Sequence, residues 1–329
     1  MSPVLQSARG SYFAIVVVAL VSRFPIETTS QTVDTAQSAP SPIGKLVDVG
    51  GYRVHLYCTG TGSPTVVIVG AGSSFDWGLV QPEVAGFTQV CSYDHSGTAW
   101  SDPGPKDSCP LRIREVHMAL KNAGIVGPYV FVGHSLGGLI ARLYAGQYPN
   151  DVAGLVFVDH ALAMLSRRPS PAGGGAAPTS PAPTFPPGAR ISKGMEDDPN
   201  FSKLAVRDRE LHRWWTTQAR DQPASQDNLD MLMECIDETD AVIKDQSHPL
   251  GNKPIVDVTA GTAPPLPPPV AEAWRHKYAE LQIKLLSLSA NSKQLVAENS
   301  GHFIIIDRPD VVIDAIRQVV RSVRENAKL

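Results

Sequence analysis

Residues 129–138 read YVFVGHSLGG, and this stretch decides the fold. Its first four residues are apolar without polar alternation, as in a strand buried on both faces of a parallel sheet. Gly133-His134-Ser135-Leu136-Gly137 then fills the pattern G-x-S-x-G, and 136–148 carries helical periodicity. Strand, tight turn and helix in that order strain the serine and expose its hydroxyl, which makes Ser135 the candidate nucleophile. Gly133 and Gly137 let the flanking elements approach, and a helix N-terminus favours negative charge developing beside the serine. A glycine-rich turn of purely structural use is the competing reading, and the position between strand and helix weighs against it.

Outward from this turn the same style of sequence recurs. Residues 65–69 (TVVIV), 90–93 (VCSY), 155–158 (LVFV) and 255–258 (IVDV) read as buried parallel strands. Residues 113–123 read as a helix, as does the C-terminal stretch where Val312, Ile316, Val320 and Val323 follow Pro309. Strands alternating with helices specify an α/β sheet with right-handed crossovers. Ahead of them, 45–60 (KLVDVGGYRVHLYCTG) reads as a hairpin turning at Gly50-Gly51.

The alternation breaks between 162 and 251. A low-complexity stretch, 166–188 (SRRPSPAGGGAAPTSPAPTFPPG), cannot build a packed core. Two amphipathic helix candidates follow, one with Leu204, Leu211 and Trp215 on a face, the other with Leu229, Leu232, Met233 and Ile236. This interval reads as a lid inserted between two strands. A further run, 263–269 (APPLPPP), reads as a stiff polyproline loop. The expected organisation is a leader over 1–40, a first core part over 41–161, the lid over 162–250 and a second core part over 251–329.

The chain has 329 residues, above the roughly 250–300 at which single cores stop growing, so a core with an insertion is expected. Its 29 Lys plus Arg against 32 Asp plus Glu give a net charge of −3, which argues against nucleic acid as the main partner. The apolar run 12–21 (YFAIVVVALV) is too short for a spanning helix, which needs about 20 residues. It reads as the core of a secretory signal peptide, hence a secreted or periplasmic protein; a disordered extension on a cytoplasmic protein is the alternative. Four cysteines, Cys58, Cys91, Cys109 and Cys235, match no zinc spacing; they allow three disulfide connectivities or buried free thiols.

A serine hydroxyl needs a base to take its proton. Of nine histidines, His302 in 299–303 (NSGHF) lies just beyond the apolar run 295–297 and shortly before the terminal helix, at the strand ends where Ser135 also emerges. His95 and His160 follow strands and are weaker candidates, and His134 is expected to point away from the nucleophile. His55 and His117 read as partly buried, and His212, His248 and His276 as surface or lid residues.

At these residues the chain resembles the α/β-hydrolase superfamily, over 45–161 and 251–329. Besides GHSLGG and NSGHF, Asp94-His95-Ser96-Gly97-Thr98-Ala99-Trp100-Ser101 looks like the family's D-x-x-G-x-G-x-S turn, with Ala99 where a second glycine is usual. The resemblance implies a mostly parallel central sheet flanked by helices, and it is greatest to the lid-bearing esterases and lipases. Epoxide hydrolases and haloalkane dehalogenases share that fold but use an aspartate nucleophile, and Ser135 argues against both. Where the family writes His-Gly before its first oxyanion donor, Val69 precedes Gly70 here. That donor is a backbone N–H, so the oxyanion hole is assigned to the amides of Ala71 and Leu136, with Gly72 as the neighbouring alternative.

The family usually carries its acid after the strand that follows the lid, yet 259–265 holds no carboxylate. Some relatives carry it at the end of the strand after the nucleophile helix, where Asp159 stands here. Asp257, inside its strand, is the alternative acid, costly to bury without partners, and Asp307 is expected to cap the last helix. The implied chemistry is hydrolysis of a small, largely apolar ester by Ser135, His302 and Asp159; the alternatives are hydrolysis or acyl transfer at another acyl bond (amide, thioester, lactone) or a carbon–carbon bond by the same triad, and a non-catalytic ligand-binding protein. Trp214 and Trp215, with His134 and Gly72, are candidate substrate contacts, although the tryptophans equally suit a small core of the lid. No metal, organic cofactor or stable membrane span is implied.

Overall fold

The computed structural model describes residues 39–70, 72–160, 194–220, 235–236, 247–263 and 268–329. These fall in one compact unit, Ala39–Leu329; the leader, Met1–Ser38, lies outside the described residues. So do 166–188 and, of the second lid-helix candidate, all but Ile236.

Among the described residues eight strands form one sheet in the order β1-β2-β4-β3-β5-β6-β7-β8. They are β1 (Lys45–Asp48), β2 (Arg53–Thr59), β3 (Thr65–Gly70), β4 (Val90–Asp94), β5 (Tyr129–His134), β6 (Val152–Val158), β7 (Ile255–Ala260) and β8 (Ser292–Ala297). β2 runs antiparallel to both β1 and β4, and the other neighbours are parallel. The hairpin turns where expected, with Gly50 and Gly51 at φ 115° and 97°, values that favour glycine.

Parallel strands need crossovers, and helices supply them: α1 (Gln81–Ala85), α2 (Cys109–Asn122), α3 (Leu136–Gln147), α4 (Val206–Arg220) and α5 (Pro268–Leu286), while α6 (Ile304–Asp307) and α7 (Pro309–Glu325) follow the last strand. They cover both faces, which explains strands that are apolar throughout. Val67, Val69, Phe131, Leu155 and Phe157 pack with Ile113, Val116, Leu120, Leu139 and Tyr144 on one face. The alternate residues Val66, Ile68, Val130, Val132, Val156 and Val158 pack with Val312, Ile316, Val319 and Val320 of α7 on the other. Each such buried side chain contributes about 1.5–3 kcal/mol relative to exposure.

The run 263–269 differs from expectation, because Pro268 and Pro269 begin α5. The first turn of a helix tolerates proline, since its amides have no intrahelical acceptor; 264–267 lies outside the described residues. The four cysteines pair as Cys58–Cys91 and Cys109–Cys235. The first joins directly opposed residues of β2 and β4; the second ties α2 to the segment inserted between β6 and β7.

Candidate active site

The carboxyl ends of the parallel strands lie in line, because Gly70, His134, Val158 and Val258 are successive partners across β3, β5, β6 and β7. Whatever follows these residues therefore gathers at one edge of the sheet, where open α/β sheets hold ligands.

Ser135 follows β5 with φ 54° and ψ −122°, a backbone costing a non-glycine residue about 1–3 kcal/mol. The surroundings over-determine it. Its amide donates to the Val158 carbonyl at 3.1 Å, and its carbonyl accepts from the Gly138 amide at 3.0 Å and from His160 Nδ1 at 3.1 Å. His160 is held neutral for that bond, since burial, with the Arg142 charge, lowers its pKa to about 3. The glycines are spatial necessities: a Cβ on Gly133 would lie 2.5 Å from the Gly137 carbonyl oxygen, and one on Gly137 would strike the Val69 carbonyl. α3 thus begins hard against the end of β3, and Leu136 is its first residue.

His302 and Asp159, 143 residues apart, meet: His302 Nδ1 lies 2.6 Å from Asp159 Oδ2. The histidine side chain is 43% exposed and the aspartate 7%, so the pair runs from the surface inward. Nδ1–H donation to the carboxylate leaves Nε2 as the acceptor nitrogen of a neutral ring. Asp159 stands at φ 40°, with its amide on the Val258 carbonyl at 2.8 Å. Its Oδ1 accepts from the Tyr278 hydroxyl at 2.8 Å and, at 3.4 Å, from the Ala260 amide. Burial pushes this carboxyl up, but the hydrogen bond and charge of His302, with the Tyr278 hydroxyl, outweigh it and hold the group below the usual range.

The other candidates sort themselves around this pair. Asp257 is fully buried within β7, and neither of its oxygens has a hydrogen-bond partner among the described residues. Burial, and then the charge of Asp159, push it well above the usual carboxyl range. His134 is fully buried, with Nε2 donating to the His302 carbonyl at 2.9 Å and its ring 4.7 Å from the His302 ring. It therefore lies behind the site, not on a wall open to substrate. Gly72, at φ 100°, packs against Asp76, and Ala71 lies outside the described residues. Trp214 stacks on Trp100 at 5.5 Å, and with Trp215 it borders a small cluster of Phe75, Trp100 and Leu211.

Three residues behave otherwise than the sequence suggested, and a fourth was not singled out by it. Asp307 does not cap the last helix: its Oδ2 accepts from the Gly301 amide and the Ser300 hydroxyl, both at 3.0 Å, and its Oδ1 from Asn200 at 2.7 Å. It fixes the turn that carries His302. His212 is buried, with Nδ1 2.7 Å from Asp76 and Nε2 3.1 Å from Glu196. His55 is fully buried, 2.8 Å from Asp94. Tyr278 was carried by no motif, because only the chain's return through α5 brings it to Asp159. Among the described residues no cluster of His, Cys, Asp or Glu could hold a metal ion, and no helix is long and apolar enough to cross a membrane.

A two-face α/β sheet with a strained serine after its central strand defines a hydrolase-type architecture. The chain belongs to the alpha/beta hydrolase fold family, whose pattern matches residues 64–309. It is 31% identical over 157 residues to an uncharacterized protein of Schizosaccharomyces pombe, covering 38% of this chain and 29% of that one. It is also 31% identical over 135 residues to the 2-hydroxymuconate semialdehyde hydrolase of Pseudomonas sp. strain CF600, covering 39% of this chain and 47% of that one. It thus spans less than half the length of each of these relatives. The crystal structure of a serine hydrolase involved in carbazole degradation, the CarC enzyme, superimposes with a TM-score of 0.51 at 16% identity, over 85% of this chain and 99% of that one; this likeness concerns the fold alone.

Proposed function

We propose that this hydrolase-type protein is a serine hydrolase that cleaves carboxylic esters of small, largely apolar substrates through an acyl-enzyme. Ser135 attacks the ester carbonyl, His302 takes its proton through Nε2 and returns it to the leaving alcohol, and Asp159 orients His302. The amides of Leu136 and Ala71, or Gly72 in its place, stabilise the oxyanion. Water then attacks the acyl-enzyme by the same route. The observation that carries this reading is the left-handed Ser135 at the head of α3, on the sheet edge where His302 is bonded to Asp159. The reading includes the inserted segment 162–250 as a lid. Trp214 and Trp215 fit the packing of α4 on the core better than a substrate wall, because they border the cluster that Leu211 forms with Phe75 and Trp100.

A fluorophosphonate probe should label the parent protein, and Ser135→Ala should lose both labelling and p-nitrophenyl ester hydrolysis by a factor on the order of 10³ or more. Undiminished hydrolysis by Ser135→Ala would sink the assignment. Asp159→Asn should lower kcat by about 10²–10⁴.

One comparison favours a second reading. The Pseudomonas relative is named for a semialdehyde substrate that contains no ester. The same triad acting on another acyl bond or on a carbon–carbon bond would appear as turnover of ketone, amide or lactone substrates with no turnover of esters. The two cystines suit an oxidising compartment, so export through the leader belongs to the proposal. Protein from its native location should show no free thiol after unfolding, whereas a cytoplasmic protein would show four.

A further inference from the structure

Two buried carboxyls neighbour each other beneath His302, and they are treated unequally. Asp159 has donors on both oxygens: His302 Nδ1 at 2.6 Å on Oδ2 and the Tyr278 hydroxyl at 2.8 Å on Oδ1. Asp257, fully buried on the adjoining strand, has none among the described residues. A carboxylate that accepts hydrogen bonds is stabilised as an anion, and one that accepts none is favoured neutral. Two such groups in mutual reach cannot both ionise cheaply, so the donors decide which one does. The other contact to Asp159 Oδ1, the Ala260 amide at 3.4 Å, is too long to fix the carboxylate's rotation. Tyr278 comes from α5, the crossover between β7 and β8, and meets the oxygen of Asp159 that His302 does not.

We propose that Tyr278 is a positioning residue for this reaction, its hydroxyl fixing the Asp159 carboxylate so that Oδ2 meets His302 and so selecting Asp159 over Asp257 as the acid. The inference rests on the serine-hydrolase reading. Without the hydroxyl, Asp159 can rotate about its side-chain torsion, and His302 loses the partner that sets its ring and tautomer. Tyr278 remains a donor at ordinary pH, since burial and then the Asp159 charge push its hydroxyl far above the usual range. Asp257, held neutral by burial and by Asp159, is close to an asparagine in charge.

The test compares the parent, Tyr278→Phe, Asp257→Asn and Asp159→Asn on a p-nitrophenyl ester. Tyr278→Phe removes one oxygen and should lower kcat by about 10- to 100-fold with KM within twofold. The downfield proton resonance of His302 Nδ1 should shift or broaden in the same variant. Asp257→Asn should keep kcat within about threefold of the parent. A Tyr278→Phe protein with the parent's kcat and an unmoved resonance overturns the proposal, as does an Asp257→Asn loss equal to that of Asp159→Asn. Should Tyr278→Phe fail to fold, 3-fluorotyrosine at 278 keeps ring and hydroxyl while strengthening the donor. It should move the His302 resonance, and an unmoved line again overturns the proposal. Failure of the underlying reading looks different: the parent neither hydrolyses substrate nor takes the fluorophosphonate label, while the resonance still reports the Tyr278 contact.

Discussion

At Gly137 a single missing carbon holds the site together. A Cβ there would strike the Val69 carbonyl and lie 2.7 Å from Gly70 Cα, backbone that cannot rotate aside. Gly137→Ala should therefore cost about 1–3 kcal/mol by overpacking, and the displaced first turn of α3 should slow acylation as well. Gly301 stands beside His302 but has open space around its Cα and a backbone that other residues adopt. Gly301→Ala should leave stability within about 0.5 kcal/mol, although it lies nearer the proposed base. Urea denaturation of the two variants checks the contrast; equal losses would mean that the gap between β3 and α3 can relax. The same contrast explains what the sequence could reveal. Ser135 was legible because strand, turn and helix are contiguous, and His302 and Asp159 because each follows a recognisable strand. Tyr278, 119 residues from its partner Asp159, follows no strand and fits no motif, so only the folded path of α5 exposes it.

Among the elements, α4 is the least expected in what it does. Its apolar face, Leu211 toward Phe75 and Trp100, was readable from spacing, but the polar tie beneath it was not. His212 presents both ring nitrogens to carboxylates, Asp76 on one side and Glu196 on the other, and two such acceptors require two N–H donors, hence an imidazolium. Asp76 also accepts from the Ser73 amide at 2.7 Å, so α4 is tied to the loop that follows β3. Burial lowers the His212 pKa, but the bonds and charges of Asp76 and Glu196 outweigh it and raise the value above the ordinary 6.5. A pKa raised on folding adds stability that is fully present below the unfolded value and is lost as pH rises through the folded one. The parent's melting temperature should thus fall as pH climbs above about 6.5, while that of His212→Gln, a protein less stable by about 3 kcal/mol at pH 6, should be flatter there. Parallel curves from pH 5 to 9 would show that no proton is held between the two carboxylates. The strands and the flanking helices were legible because burial on two faces leaves an uninterrupted apolar signature. The start of α5 was not, because proline reads as a breaker wherever its place in the helix is unknown.

For the whole molecule the two disulfides close separate stretches of chain, 33 residues for Cys58–Cys91 and 126 for Cys109–Cys235. If constraint of the unfolded chain dominates, closure is worth about 3.7 kcal/mol for the shorter loop and about 5 kcal/mol for the longer. The loops do not overlap, so the two contributions should add. The folded state gives the same order of importance. β2 and β4 are already joined by five pairs in register, including Cys58 with Cys91, whereas Cys109–Cys235 holds part of the inserted segment to α2. Both considerations give the second bond the larger role, one through the unfolded chain and one through the native contacts. Cys109→Ser with Cys235→Ser should therefore lower the unfolding free energy more than Cys58→Ala with Cys91→Ala, as read from urea midpoints at constant slope. The ladder from β5 to β8 involves neither bond, so the folded Cys109 and Cys235 variant should still take the fluorophosphonate label at Ser135. A stable variant that no longer labels would mean that the inserted segment, and not the sheet edge alone, sets the geometry of the serine.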